Sequence, residues 1–336
     1  MPIISTKGAG SAQGFGFGAG SNFLISATGG TITECGDFKI HTFTGPGSFV
    51  VSKVKASPPT AGTVDYLVVA GGATGSPGGR GGGGGAGGFR VSNALGIPAP
   101  TMSPLSNPTG LTITAQSYPI TVGAGGAQTT CGTPRGNPGN PSVFSTITST
   151  GGGGGGDNAT TGGDGGSGGG GGGFPFNQGI GPRPGGAGNT PPVSPSQGNA
   201  GGASLTPCPA NQWTAGGGGG GASQQGFNPP PSNFNPGTGG PAGNGGDGSF
   251  VSPSLAGSNG TTGPSPGVRY FSGGGGAMGF INGQSTGGAG GGGAGGQQGG
   301  NAGVAGSANT GGGGGANSST GPAGGSGIVI IRYKFK

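Results

Sequence analysis

His41 is the only histidine in this 336-residue chain, and Glu34, Asp37, Asp65, Asp157, Asp164 and Asp247 are its only carboxylates. A lone imidazole cannot build a histidine-based metal centre. General acid and base work needs paired groups held in one cleft, and this spacing offers no such pair. Glu34 and Asp37 are close, but a turn before a strand accounts for them, and a structural or surface place suits His41. Cys35, Cys131 and Cys208 lack metal-ligand spacing, and their odd number argues against a disulfide framework. Three reduced thiols are expected, with one oxidised pair as the alternative. GxGxxG matches are unavoidable in a chain so rich in glycine, and no GxxxxGK[ST] phosphate loop occurs. The expectation is a noncatalytic protein with no metal and no cofactor.

The charge pattern narrows the partners. Twelve lysines and arginines give a net charge of +6, but they are scattered. The single "GGRGG" at Arg80 and Arg90 beside Phe89 fall short of a repeated RNA-binding segment, so no nucleic-acid partner is expected. No stretch approaches the roughly 18 apolar residues that would span a bilayer. The N-terminus lacks the charged and apolar regions of a secretory signal. Neither membrane insertion nor secretion is expected.

What remains is the scaffold. Gly accounts for 101 residues, hydrophobics for 28% and charged residues for 5%. Such a chain must pair its backbone groups internally or leave them to water. "GGDGGSGGGGGGF" (162–174) sorts by threes. Gly162, Gly165 and Gly168 form one column, Gly163, Gly166 and Gly169 a second, and Thr161, Asp164 and Ser167 a third. In 237–248, Gly237, Gly240, Gly243 and Gly246 form a column, while Asn244 and Asp247 fall in the variable one. A period of three is that of the polyproline II helix, which has no internal hydrogen bonds. Packed polyglycine II helices would satisfy one another's amides, with glycine columns facing neighbours and the third column facing water or a weaker contact. Flexible linkers are the competing reading, because glycine loses the most entropy on ordering. Collagen is excluded by repeated slips of phase.

Strands supply the rest. Residues 38–44, 47–54, 64–70, 111–115, 119–123, 143–148 and 328–333 are short, β-branched and bounded by Gly or Pro. "TGPGS" (44–48) reads as a hairpin turn. "YLVVA" and "IVIIRY" are nearly continuous apolar runs, which places them side by side in mid-sheet. No helical stripe appears. The expected fold is all-β: a small, jelly-roll-like β-sandwich with a large glycine-rich insertion and essentially no α-helix. Residues 1–30 form an N-terminal docking arm. Residues 31–70, 111–148 and 328–336 form the β module, and 71–110 and 149–327 the glycine-rich region.

Loops between the glycine runs concentrate aromatics, amides and prolines. Phe174, Phe176, Trp213, Phe227, Phe234, Tyr270 and Phe271 are the receptor-contact candidates. Capping of the lattice ends is the other role open to these loops.

The blocks from "IHTFTGPGSFVV" into "VDYLVVAGG", and the terminal "GSGIVIIRYKF", carry a resemblance. Over roughly residues 38–336 the sequence resembles the glycine-rich domain of structural proteins of tailed phages, especially marine ones. Its glycine runs are also similar to the tip adhesins of T-even-type long tail fibres. A related plan occurs in the extracellular region of anaplastic lymphoma kinase. The resemblance implies a virion fibre, tip or decoration protein, made in host cytoplasm and assembled into the particle surface. Its partners would be other virion proteins through the N-terminal arm, a host-surface glycan or protein, and further copies of itself, a trimer among the arrangements. A subunit that polymerises or decorates without host recognition, and a secreted matrix or coat protein, are the alternatives.

Overall fold

The computed structural model describes residues 24–55, 59–174, 182–205, 215–230, 241–279 and 283–336. The strands in chain order are β1 (Ile25–Thr28), β2 (Thr31–Cys35), β3 (Phe38–Phe43), β4 (Gly47–Val54), β5 (Thr63–Val69), β6 (Phe89–Val91), β7 (Leu111–Thr112), β8 (Ser117–Thr121), β9 (Thr129–Thr130), β10 (Ser142–Phe144), β11 (Ile147–Ser149), β12 (Ser249–Val251), β13 (Arg269–Phe271), β14 (Thr320–Gly321) and β15 (Ile328–Lys334). The fold is all-β apart from a 3-10 turn (Pro59–Gly62) and one short helix, α1 (Pro253–Ala256). Ser252 caps α1 by accepting the Ser254 amide, and Gly257 ends it at a φ of +59°.

Two main sheets form. One runs β1-β4-β8-β10-β11; the other runs β2-β3-β15-β5-β6, with β7 also pairing β5. β15 lies between β3 and β5, with Val329 opposite Val68 and Ile331 opposite Tyr66. The two apolar runs are therefore central neighbours, as their sequences require. Alternation splits their side chains. Val64, Tyr66, Val68, Val329, Ile331 and Tyr333 enter a cluster shared with Ile25, Phe49, Val51, Ile120 and Phe144 of the other sheet. Leu67, Val69, Ile328 and Ile330 enter a second cluster with Phe89, Ile97, Met102, Val251, Leu255 and Phe271. The central strands β5 and β15 are thus buried on both faces, which is why they read as nearly unbroken apolar runs. Each such side chain adds roughly 1.5–3 kcal/mol of transfer free energy as an upper bound.

Three boundaries differ from the sequence-based expectation. Residues 44–48 are not a hairpin turn: β3 pairs β15 and β2, while β4 pairs β1 and β8, so the segment crosses between sheets. Residues 25–28 leave the expected arm, because β1 pairs β4. β6 lies in the stretch assigned to glycine runs yet extends the six-stranded sheet beside β5. In each case the side chains find a buried face that local turn chemistry does not foretell.

Candidate functional site

The glycine runs pack on the β module, and their hydrogen bonds follow a rule of three. The amides of Gly82, Gly85 and Gly88 donate to the carbonyls of Gly156, Gly153 and Thr150. Those of Gly83 and Ala86 donate to Gly217 and Gly220, and those of Gly84 and Gly87 to Gly314 and Gly311. Acceptors follow suit. Gly82, Gly85 and Gly88 accept from Ser76, Ala73 and Ala70; Gly83 and Ala86 from Gly170 and Ser167; Gly81 and Gly84 from Met278 and Gly275. Among the described residues the segment 81–88 therefore has six neighbouring runs, three accepting from its N–H groups and three donating to its C=O groups. Steps of three along the donor match steps of three along each acceptor, in parallel or antiparallel sense.

At the closest positions glycine is required. A Cβ on Gly83 would overlap the Gly275 carbonyl, and one on Gly170 the Gly217 carbonyl. The candidate lattice glycines take part. Gly162, Gly163, Gly165, Gly166 and Gly168 donate to Pro184, Gly154, Ala187, Gly151 and Asn199, and Gly169 donates to Gly163. Gly243 and Gly246 donate to Gly216 and Gly219. Gly237 and Gly240 lie outside the described residues.

The profile of the glycine-rich domain family matches residues 44–207 and again 177–334. The chain belongs to the glycine-rich domain family. A comparison with curated proteins finds no match.

In this glycine-rich domain the third column behaves in two ways. In outer runs its polar side chains reach across to a neighbour's amide: Asp164 Oδ1 accepts from Ala187 N at 2.7 Å, Asn244 Oδ1 from Thr286 N at 2.9 Å and Asp247 Oδ1 from Ala289 N at 2.8 Å. Inside the lattice it is buried. Ser167, Ala86 and Phe89 are sealed from solvent, so of the two places expected for this column, water or a weaker contact, these residues take the second. A run enclosed on all sides has no outward column.

The aromatic candidates divide. Phe227 is 47% exposed. Phe174 is buried, with the Arg183 guanidinium 5.4 Å above its ring. Tyr270 and Phe271 are not in a loop but in β13, paired with β12, and both are buried. Their rings are core, and this conformation withdraws them and Phe174 from any contact surface. Phe176, Trp213 and Phe234 lie outside the described residues, as do residues 1–23 of the expected arm. Cys35 and Cys131 are exposed free thiols; Cys208 lies outside the described residues.

Two buried polar groups of the glycine-rich domain organise the β module. His41 is fully buried between Gly29 and Tyr333. Asp65 on β5 faces Arg332 on β15, with Oδ2 3.3 Å from the guanidinium. The Ser92 hydroxyl and the Ala94 amide donate to Asp65 Oδ1 at 3.0 and 2.7 Å, and the Leu95 amide to Oδ2. Burial pushes the Asp65 carboxyl up, and those donors and Arg332 pull it back. The Arg332 guanidinium also lies 3.6 Å over the Phe38 ring. Spacing along the chain does not bring Asp65 and Arg332 together, since they stand 267 residues apart. A signal was present: Asp65 interrupts the apolar run of β5, and Arg332 that of β15.

Proposed function

We propose that the chain is a noncatalytic fibre or fibre-tip protein of a tailed-phage virion that attaches the particle to a host surface. The observation that carries this reading is the period-three hydrogen bonding among the glycine runs. It is the exchange expected of packed polyglycine II helices. The two sheets that share one core read as a β-sandwich supporting that lattice. Such a unit holds its connecting segments stiffly, and Phe227 is a large apolar side chain exposed on one of them. Rigid aromatic groups give contact area at small rotamer cost. The test is binding of purified wild-type protein to host cells with chelator present, beside gold labelling of intact particles. Saturable binding and label at a tail tip support attachment.

The second reading is a subunit that decorates or polymerises without touching a host. β2 favours it: the strand edges the six-stranded sheet, all five of its residues are exposed, and Ile32 is 43% exposed. An open, regular edge is a template for another chain. Label repeated over a capsid or filament, with no cell binding by well-folded protein, would select it.

A further inference from the structure

The run 301–309 lies at the border of the glycine lattice. Its exposure repeats in threes: Gly303, Gly306 and Asn309 are half-buried, and the two residues before each are exposed. Its amides sort in the same way. Val304 and Ser307 donate to the Ala294 and Gly291 carbonyls, a step of three along one neighbouring run. Gly306 donates to the Ala323 carbonyl and Asn309 to the Ser326 hydroxyl, a step of three along another. The third set, the exposed amides of Ala302, Ala305 and Ala308, meets no acceptor among the described residues.

The segment 81–88 shows what is missing. There a separate run accepts each of the three sets of amides, and here two sets are taken. At other borders a side chain closes the gap: Asp164, Asn244 and Asp247 accept from the amides of Ala187, Thr286 and Ala289. Among the described residues no side chain comes to Ala302, Ala305 or Ala308. The place beside them is that of one more run.

The geometry of the vacancy selects its occupant. It asks for a carbonyl at every third residue. A β-strand presents alternate residues to one side and does not match that step. A polyproline II segment does match it. Proline serves as well as any residue there, because the three amides need acceptors alone, and its ring fixes the required φ in advance. Alanine does not bar the approach, since Ala86 is buried inside the lattice, donates to Gly220 and accepts from Ser167. Close contact with the alanine column calls for a small residue in the occupant at the same step of three, and glycine meets that need. Val304, 52% exposed on the same run, offers a proline ring an apolar contact. A second copy keeps runs such as 81–88 inside its own lattice, which favours a segment of another protein.

We propose that the border run 301–309 binds a polyproline II segment of a partner protein, rich in proline with glycine at every third position, whose carbonyls accept from Ala302, Ala305 and Ala308. The proposal rests on the polyglycine II reading of the runs and not on the virion reading.

The probe is a monomeric, dye-labelled peptide of four Gly-Pro-Pro triplets, titrated with full-length protein and followed by fluorescence anisotropy. Wild type binds it saturably. Ala305→Pro deletes the middle donor, which holds no internal bond, and suits the backbone of such a run; it weakens binding about fivefold with an unchanged melting temperature. Joining Ala302→Pro and Ala308→Pro to it abolishes binding. Ala305→Gly keeps the donor and the affinity. A peptide of the same composition with its glycines grouped at one end loses the match and binds about tenfold more weakly. Ser307→Pro is the control for the run itself, because it removes an amide bonded to Gly291 and melts early. No saturable binding by wild type, equal affinity in the proline variants, or equal affinity for the regrouped peptide overturns the proposal. Equal melting losses in Ala305→Pro and Ser307→Pro overturn the arrangement of the run on which it rests. Self-association of wild type that the proline variants abolish makes a second copy the occupant and overturns the assignment to a partner protein.

Discussion

Tyr333 donates its phenolic proton to His41 Nε2 across 3.1 Å, and the two rings stack with centroids 5.5 Å apart. The Gly29 carbonyl, 2.7 Å from Nδ1, can only accept, so Nδ1 carries the imidazole proton. The ring is neutral and both nitrogens are used. Burial lowers the His41 pKa from its ordinary 6.5, and burial pushes the Tyr333 phenol up to about 12.

Acid should therefore loosen the β module. Below 6.5 the unfolded chain takes up a proton that folded His41 refuses. The stabilisation is complete above that value and is lost as pH falls towards the lowered folded pKa. Thermal melts from about pH 7.5 down to about pH 5 should show a falling midpoint for wild type and a flatter profile for His41→Gln. Tyr333→Phe strands Nε2 without a donor and should cost about 1–3 kcal/mol at neutral pH. A His41→Gln profile parallel to wild type would remove this role.

The lattice predicts a sharp dependence on position. Gly165→Val and Gly243→Val place a side chain against the Gly153 amide and the Phe227 carbonyl, and each displaced backbone group costs roughly 1–3 kcal/mol. Asn244→Val, at an exposed site, loses one capping bond and should be milder. Ser167→Val belongs with the glycine variants, since Ser167 is sealed in the lattice. Ser167→Ala should be neutral or slightly stabilising, because it removes a buried hydroxyl with no hydrogen-bond partner among the described residues. Thermal melting of the five proteins orders them; equal losses at Gly165 and Asn244 would contradict the packing.

Breaking the Asp65–Arg332 pair on one side should be worse than removing both charges. Asp65→Ala leaves a buried guanidinium uncompensated, a loss of about 3–5 kcal/mol. The double variant Asp65→Leu with Arg332→Met should recover much of that in urea titrations. A double variant as unstable as the sum of its singles would mean that the pair does not act as a unit.

The polar caps of the outer runs should each contribute modestly and independently. Asp164→Ala and Asp247→Ala free the Ala187 and Ala289 amides, at about 0.5–1.5 kcal/mol apiece. The sites share no partner, so their effects should add. Hydrogen exchange should rise first at the freed amides, and unchanged protection there would show that water replaces the caps without loss.

The sequence is legible where a single rule dominates. Nearly continuous apolar runs placed β5 and β15 together, and triplets of glycine anticipated that the runs meet backbone to backbone. It is illegible where partners are remote. Phe271 looks like a loop aromatic until Ser249 is known to lie opposite it. Ser167 sits in the same column as exposed Asp164, and only the neighbouring runs decide that one is buried. β1 is short and follows a glycine-rich segment, so nothing local marks it as a strand. Of the aromatic contact candidates, Phe227 remains exposed among those described, because an aromatic residue bounded by glycines is as useful for sealing a core as for meeting a partner.

Each run around residues 81–88 meets its neighbours in steps of three, which gives the lattice a reading frame. Adding three residues within a run would keep the step of three and return every amide to the neighbour it faced before. Adding one or two would rotate the whole remainder of the run and present each amide to the wrong neighbour. Related chains should therefore differ in run length by multiples of three, with other lengths absorbed in the connecting segments.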